Sequence, residues 1–157
     1  MAACTAIAAK AAQAASPAPS IPVNTFQPAI IEVPFERDAA DTLSIQATLN
    51  GTTPLTFLLD TGASNVVIPK GVAARLMREG TLTPADYIGD STYIMGGHRR
   101  HSAKYRLKSV TVGRLTVTDV KCTISEAGSS LLLGQSFLQK FRSYSIDNSR
   151  GVLVLGS

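Results

Sequence analysis

From Pro28 onward, apolar and polar positions alternate in short runs broken by turn residues, and one stretch alone follows a helical period. Ile30 to Phe35 reads as a first strand, and Thr42 to Leu49 alternates as a half-buried strand does. Asn50-Gly51 follows, a pair suited to the positive φ that both central positions of a type I′ turn require, and it predicts a two-residue hairpin returning as Leu55 to Leu59. Val66-Val67-Ile68 is a short apolar strand ended by Pro69. Lys70 to Glu79 then changes period, with Val72, Leu76 and Met77 on one helical face and Gly80 at its end. Tyr87 to Met95 and Ser102 to Val112 flank Gly96-Gly97 as a long hairpin. Gly113 turns the chain into Leu115 to Ile124, whose alternation breaks around Asp119 as a bulge would make it. Leu131-Leu132-Leu133 is apolar throughout, the mark of a fully buried strand, and Tyr144 to Asp147 with Val152 to Leu155 forms a last hairpin around Asn148 to Gly151. Many short strands, one short helix and no βαβ alternation predict an all-β barrel.

Size and composition place this barrel in one domain. The 157 residues suffice for one core and a tail, and 45% hydrophobic with 17% charged residues lies far from the composition of disordered chains. The alanine-rich segment closed by Ser16, Pro17, Pro19 and Pro22 reads as a flexible tail over residues 1–27, with the folded domain over residues 28–157. It lacks the basic start and apolar centre of an intact signal peptide. Ala12-Gln13-Ala14, and Cys4 after Ala2 and Ala3, leave a signal remnant as the alternative, so an exported or periplasmic location and a cytoplasmic one both stay open. No apolar run approaches the roughly 20 residues that a bilayer requires, so no membrane span is expected. Two distant cysteines, Cys4 and Cys122, predict neither a disulfide nor a zinc site.

A net charge of +4 is modest, and its one dense cluster is Arg99, Arg100, Lys104, Arg106 and Lys108. No aromatic platform accompanies these residues, so no nucleic-acid partner is expected. His98 and His101 stand beside them without acidic or thiol neighbours, which reads as an exposed basic hairpin and no metal site. The same charges suit acidic side chains of a substrate. Ser64, Ser129, Ser130 and Ser136 lack the Gly-x-Ser-x-Gly elbow of a serine nucleophile. The other carboxylates stand in turn or polar contexts, with Asp86 a cap or turn former after Pro84.

The segment Phe57-Leu58-Leu59-Asp60-Thr61-Gly62-Ala63-Ser64 carries the chemistry. A carboxylate directly after three large apolar residues is costly to bury, so a sharp turn must expose it or hydrogen bonds must hold it. Gly62 permits close backbone approach, and the Thr61 hydroxyl can lock the loop. Downstream, Leu131-Leu132-Leu133-Gly134-Gln135-Ser136-Phe137-Leu138 repeats an apolar strand stopped by glycine, where another segment can cross closely.

These two segments, with the glycine-bearing hairpin at Tyr93 to Tyr105, Val110-Thr111-Val112-Gly113, Ser145-Ile146-Asp147-Asn148 and Val152-Leu153-Val154-Leu155, resemble the retropepsin-like aspartic proteases, especially their single-domain bacterial members, over roughly Thr42 to Leu155. The resemblance implies a retropepsin-like acid-protease barrel with a flap hairpin, acting as a homodimeric aspartic endopeptidase on protein or peptide substrates without metal or cofactor. It implies Asp60 as the catalytic carboxylate, Thr61 as the residue whose hydroxyl meets its counterpart in the other copy, and Gly62 as the open floor of the cleft. Leu133-Gly134 would support the active-site loop from behind. Ala63 and Ser64 would line the first subsites, and Met95, Gly96 and Gly97 would form the flap tip. A single Asp-Thr-Gly per chain makes dimerisation a condition of catalysis. A catalytically silent peptide-binding or dimerisation module of the same fold is the alternative.

Overall fold

The structure, a computed structural model, describes residues 29–52, 54–95 and 97–156. The expected tail of residues 1–27, with Cys4, and Gly96 of the expected flap tip lie outside the described residues. In chain order come β1 (Ile30–Pro34), β2 (Glu36–Arg37), β3 (Leu43–Leu49), β4 (Leu55–Leu59), β5 (Val66–Pro69), α1 (Lys70–Arg78), a 3-10 turn (Pro84–Asp86), β6 (Tyr87–Met95) and β7 (His98–Val112). Then follow β8 (Leu115–Ser125), β9 (Leu132–Leu133), α2 (Gln135–Leu138), β10 (Ser143–Asp147) and β11 (Val152–Gly156). The fold is mostly β, as the alternation predicts.

The period of two explains the core. In β3, Ile45, Ala47 and Leu49 are at most 1% exposed, while Gln46 between them is exposed. Phe57, Leu107, Val110, Val112, Val120 and Cys122 bring the same face of their strands inward. Each large side chain removed from water in this way contributes about 1.5–3 kcal/mol. Burial also pushes the Cys122 thiol up to about 12, leaving it a packing group.

Pairing closes the sheet. β3 pairs with β4 through Ile45↔Phe57 and, farther along, with β7 through Thr48↔Thr111. Since β4 runs parallel to β9, β9 meets β5, β5 runs parallel to β8, and β8 pairs with β7, the two partners of β3 complete a ring. Closure satisfies the backbone groups that a free edge would expose. A separate three-stranded sheet, in the order β1-β11-β10, joins the two ends of the domain.

Several expectations are corrected. The Asn50-Gly51 turn has φ of 49° and 73°, and the Thr52 N–H donates to the Leu49 carbonyl at 3.0 Å, but no two-residue hairpin results. Pairing with β4 begins only at Ala47↔Leu55, and β3 continues past it to Leu49 on its other edge, against β7. The Asn50 side chain is spent on this arrangement, donating to the Thr81 carbonyl at 2.9 Å and accepting from the Ser109 N–H at 3.1 Å. In α1 the buried positions are Ala73 and Leu76, while Met77 is 39% exposed at the solvent margin of the stripe. The helix of Lys70–Arg78 is joined by a second one, α2, which the apolar reading of Leu131 to Leu138 missed. The β7–β8 ladder keeps its register on either side of Asp119, from Leu107↔Val120 to Ser109↔Thr118, but Asp119 itself is left out of the pairing at φ 59°. Thr118 and Asp119 are both exposed, so the alternation breaks where the sequence says, without a shift of register. A shift of register occurs in β6, between Tyr87 and Gly89, the latter at φ 109°. Finally, β9 is shorter than the apolar run: Leu133 is buried, but Leu131 and Leu132 are only half-buried.

Candidate active site

The site begins where β4 leaves the barrel. Parallel pairing aligns Leu58 with Leu132 and Leu59 with Leu133, and the Asp60 N–H donates to the Leu133 carbonyl at 3.2 Å. Strand pairing therefore fixes the backbone up to the carboxylate. Past that point the chain turns sharply: the Ala63 N–H donates to the Asp60 carbonyl at 3.3 Å, and the Gly62 N–H donates to Asp60 Oδ1 at 2.8 Å. One carboxylate oxygen is thus held by the loop's own backbone, and the residue stays half-buried rather than sealed. A Cβ on Gly62 would stand 3.2 Å from that oxygen, so glycine keeps the loop close around the acid.

A second segment braces the first from behind. At Gly134 a Cβ would lie 2.3 Å from the Asn65 carbonyl oxygen and 2.6 Å from that of Ala63, so only glycine allows the two segments to cross there. The crossing is stitched by backbone bonds from Gln135 N–H to Ala63 O at 2.8 Å and from Ser136 N–H to Ser64 O at 3.1 Å. Side chains complete it. Gln135 Nε2 donates to the Thr61 carbonyl at 2.7 Å, while Ser136 Oγ accepts from the Val66 N–H at 2.9 Å and donates to the Lys121 carbonyl at 2.6 Å. Gln135 and Ser136 are positioning residues to which sequence reasoning assigned no role; their polar character beside a glycine stop was the available signal. Thr61 is exposed, and among the described residues its hydroxyl has no hydrogen-bond partner.

Beside this loop lies a cavity of about 480 Å³, into which the structure brings Ala63 and Ser64 together with Ser91 and Ser102 at the base of the β6–β7 hairpin. Leu132 lines it too, which explains its partial exposure. Toward the hairpin tip, Met95 ends β6 opposite His98, and Gly97 turns the chain at φ 78°. Asp86 serves as a cap, accepting from both the N–H and the hydroxyl of Thr83 at 2.8 Å, and these bonds hold its carboxyl below the usual range. Among the described residues, no group of three or more His, Cys, Asp or Glu side chains is arranged to hold a metal ion. Among the same residues, no helix is long and apolar enough to cross a membrane.

Comparison with known proteins adds two findings. The family model described as gag-polyprotein putative aspartyl protease matches residues 45–140, which spans the Asp60 loop, the hairpin and the Gly134 crossing. Among solved structures, the chain is similar to a retropepsin-like aspartic protease from Rickettsia conorii, with a TM-score of 0.62 and 24% identity, over 85% of this chain and 97% of that one. At that identity the likeness establishes the fold. No curated protein matches.

Proposed function

This chain belongs to the gag-polyprotein putative aspartyl protease family, and from that premise we propose that it is an aspartic endopeptidase, active as a homodimer in which each copy supplies Asp60. Peptide hydrolysis by carboxyl groups needs two of them sharing one proton, because like charges forced together do not both ionise. The ionised member takes a proton from a water that attacks the scissile carbonyl. The protonated member polarises the carbonyl oxygen and then helps protonate the leaving amine. No bond forms between enzyme and substrate.

The sequence holds a single Asp-Thr-Gly, so the second carboxyl comes from another copy across a two-fold axis, and the pair titrates as one unit. In this reading Thr61 directs its unpartnered hydroxyl to its counterpart, and Gly62 leaves room for substrate backbone. Ala63 and Ser64 contact the first substrate side chains, while Met95, Gly96 and Gly97 tip a hairpin that closes over them. The terminal sheet supports assembly, since Ile30, Tyr144 and Ile146 are large apolar side chains left 66%, 39% and 39% exposed there.

The observation that carries the reading is the half-exposed Asp60 carboxylate, held at 2.8 Å by the Gly62 N–H on a loop that the Gly134 crossing braces. Incubation of the protein and its Asp60→Asn variant with an unstructured protein substrate across pH tests it. We expect cleavage that pepstatin blocks and that falls at least about a hundred-fold in the variant. Undiminished cleavage by D60N would end the assignment, and peptide binding without cleavage by the wild type would favour the silent module.

A further inference from the structure

The β6–β7 hairpin carries arginines that form no ion pair among the described residues. His98, Arg99, Arg100 and His101 follow one another at the start of β7, all exposed. Arg37, Arg75, Arg106 and Arg150 each lie against a carboxylate, whereas among the described residues Arg99 and Arg100 have no such partner.

Strand register decides which of these charges overlook the site. The pairs Ser91↔Ser102, Thr92↔His101, Tyr93↔Arg100, Ile94↔Arg99 and Met95↔His98 run without a shift. Successive side chains therefore alternate, which puts Arg100 and His98 on the face of Ser102 and Arg99 and His101 on the other. Ser102 is the buried member, 7% exposed, and it lines the 480 Å³ cavity opposite Ala63 and Asn65. The cavity also borders Thr92, whose hydroxyl meets His101 Nδ1 at 3.2 Å. The inward face is identified by burial at Ser102. Arg100 stands one same-face step beyond it, about 7 Å toward the tip.

Among the described residues that line the cavity none is ionisable, and Ala63, Val67 and Leu132 give it an apolar floor. An ionised substrate side chain buried there would find no partner, which is the costly case. At the rim, next to Ser125 of the lining, Glu126 is held below its ordinary carboxyl range first by the hydrogen bond from Lys70, with the charge of Arg100 adding to the effect.

We propose that this site selects peptide segments that place an uncharged side chain in the cavity and an acidic side chain within two residues of it, against Arg100 and His98. The inference rests on the peptidase reading and names the substrate class for that same cleft. A substrate in extended form presents side chains on one face at alternate residues, so one group enters the neutral cavity while a neighbour meets the cationic arm.

The test is digestion of a randomised peptide library by the wild type and by the variants R100Q and R99Q, with products sequenced by mass spectrometry. The wild type should enrich Asp or Glu at one position near the scissile bond by about two- to five-fold, the range of an exposed ion pair. R100Q should lose that enrichment and R99Q, which removes the same charge from the opposite face, should keep it. Cleavage without acidic enrichment, or equal loss in both variants, overturns the inference while leaving the peptidase reading intact. Absence of any D60N-sensitive cleavage overturns both.

Discussion

At the scale of single residues, two glycines and a carboxylate define the site. Gly134 is the sharper case, because the atoms that a side chain would strike are carbonyl oxygens of Asn65 and Ala63, at 2.3 and 2.6 Å, and backbone cannot step aside as a flexible side chain can. Gly134→Ala should cost about 1–3 kcal/mol of stability as an overpacked substitution. It should also lower activity beyond that loss, since the Gln135-to-Ala63 bond at 2.8 Å lies at the same crossing. Gly71, with nothing within 4 Å of its Cβ position inside α1, provides the contrast. There alanine should be neutral or stabilising by up to about 1 kcal/mol. Denaturant midpoints and peptidase rates of the two variants check this; equal effects would show that the crossing is loose.

At the scale of elements, the terminal sheet depends on a charged turn. Asp147 accepts from the Ser149 hydroxyl at 2.7 Å and from Arg150 Nε at 2.7 Å, and Arg150 also reaches Glu32 of β1 at 2.6 Å. The Ser149 and Arg150 hydrogen bonds, in that order, hold the Asp147 carboxyl well below its usual range. A carboxyl depressed on folding stabilises above its unfolded value, about 3.9, and the contribution fades as pH drops toward the folded value. Asp147→Asn should therefore melt below the wild type at neutral pH, and the gap should close below about pH 4. A gap independent of pH would contradict this account of the turn.

Elements with clean alternation, such as β3 with Ile45, Ala47 and Leu49 inward, were legible from the chain alone. So was the Asp60 turn, since a carboxylate after Phe57-Leu58-Leu59 must be exposed or held. Pairing across distance was not. Nothing local in β3 reveals that it serves both β4 and β7, or in β1 that it joins β11. The helix α2 spans about one turn, too short to show a period, and its start depends on a crossing between segments far apart in sequence. Met77 was misplaced because the buried stripe of α1 runs through Ala73, a residue too small to stand out as apolar.

At the scale of the whole molecule, a ring of strands leads into a loop that holds the Asp60 carboxylate half-exposed, with a cavity lined by Ala63 and Ser64 of the same loop beside it. One loop holds the acid, one crossing stiffens the loop, and one hairpin brings a neutral cavity and a cationic arm to it. The proposed mechanism asks for a second carboxyl, and a second copy would supply it. The most direct measurement refolds wild-type and D60N chains together at varied ratio and constant total concentration, then follows the peptidase rate. If each active unit needs two Asp60 carboxylates, the rate falls as the square of the wild-type fraction. A rate proportional to that fraction would mean that each chain works alone, and would contradict the shared dyad.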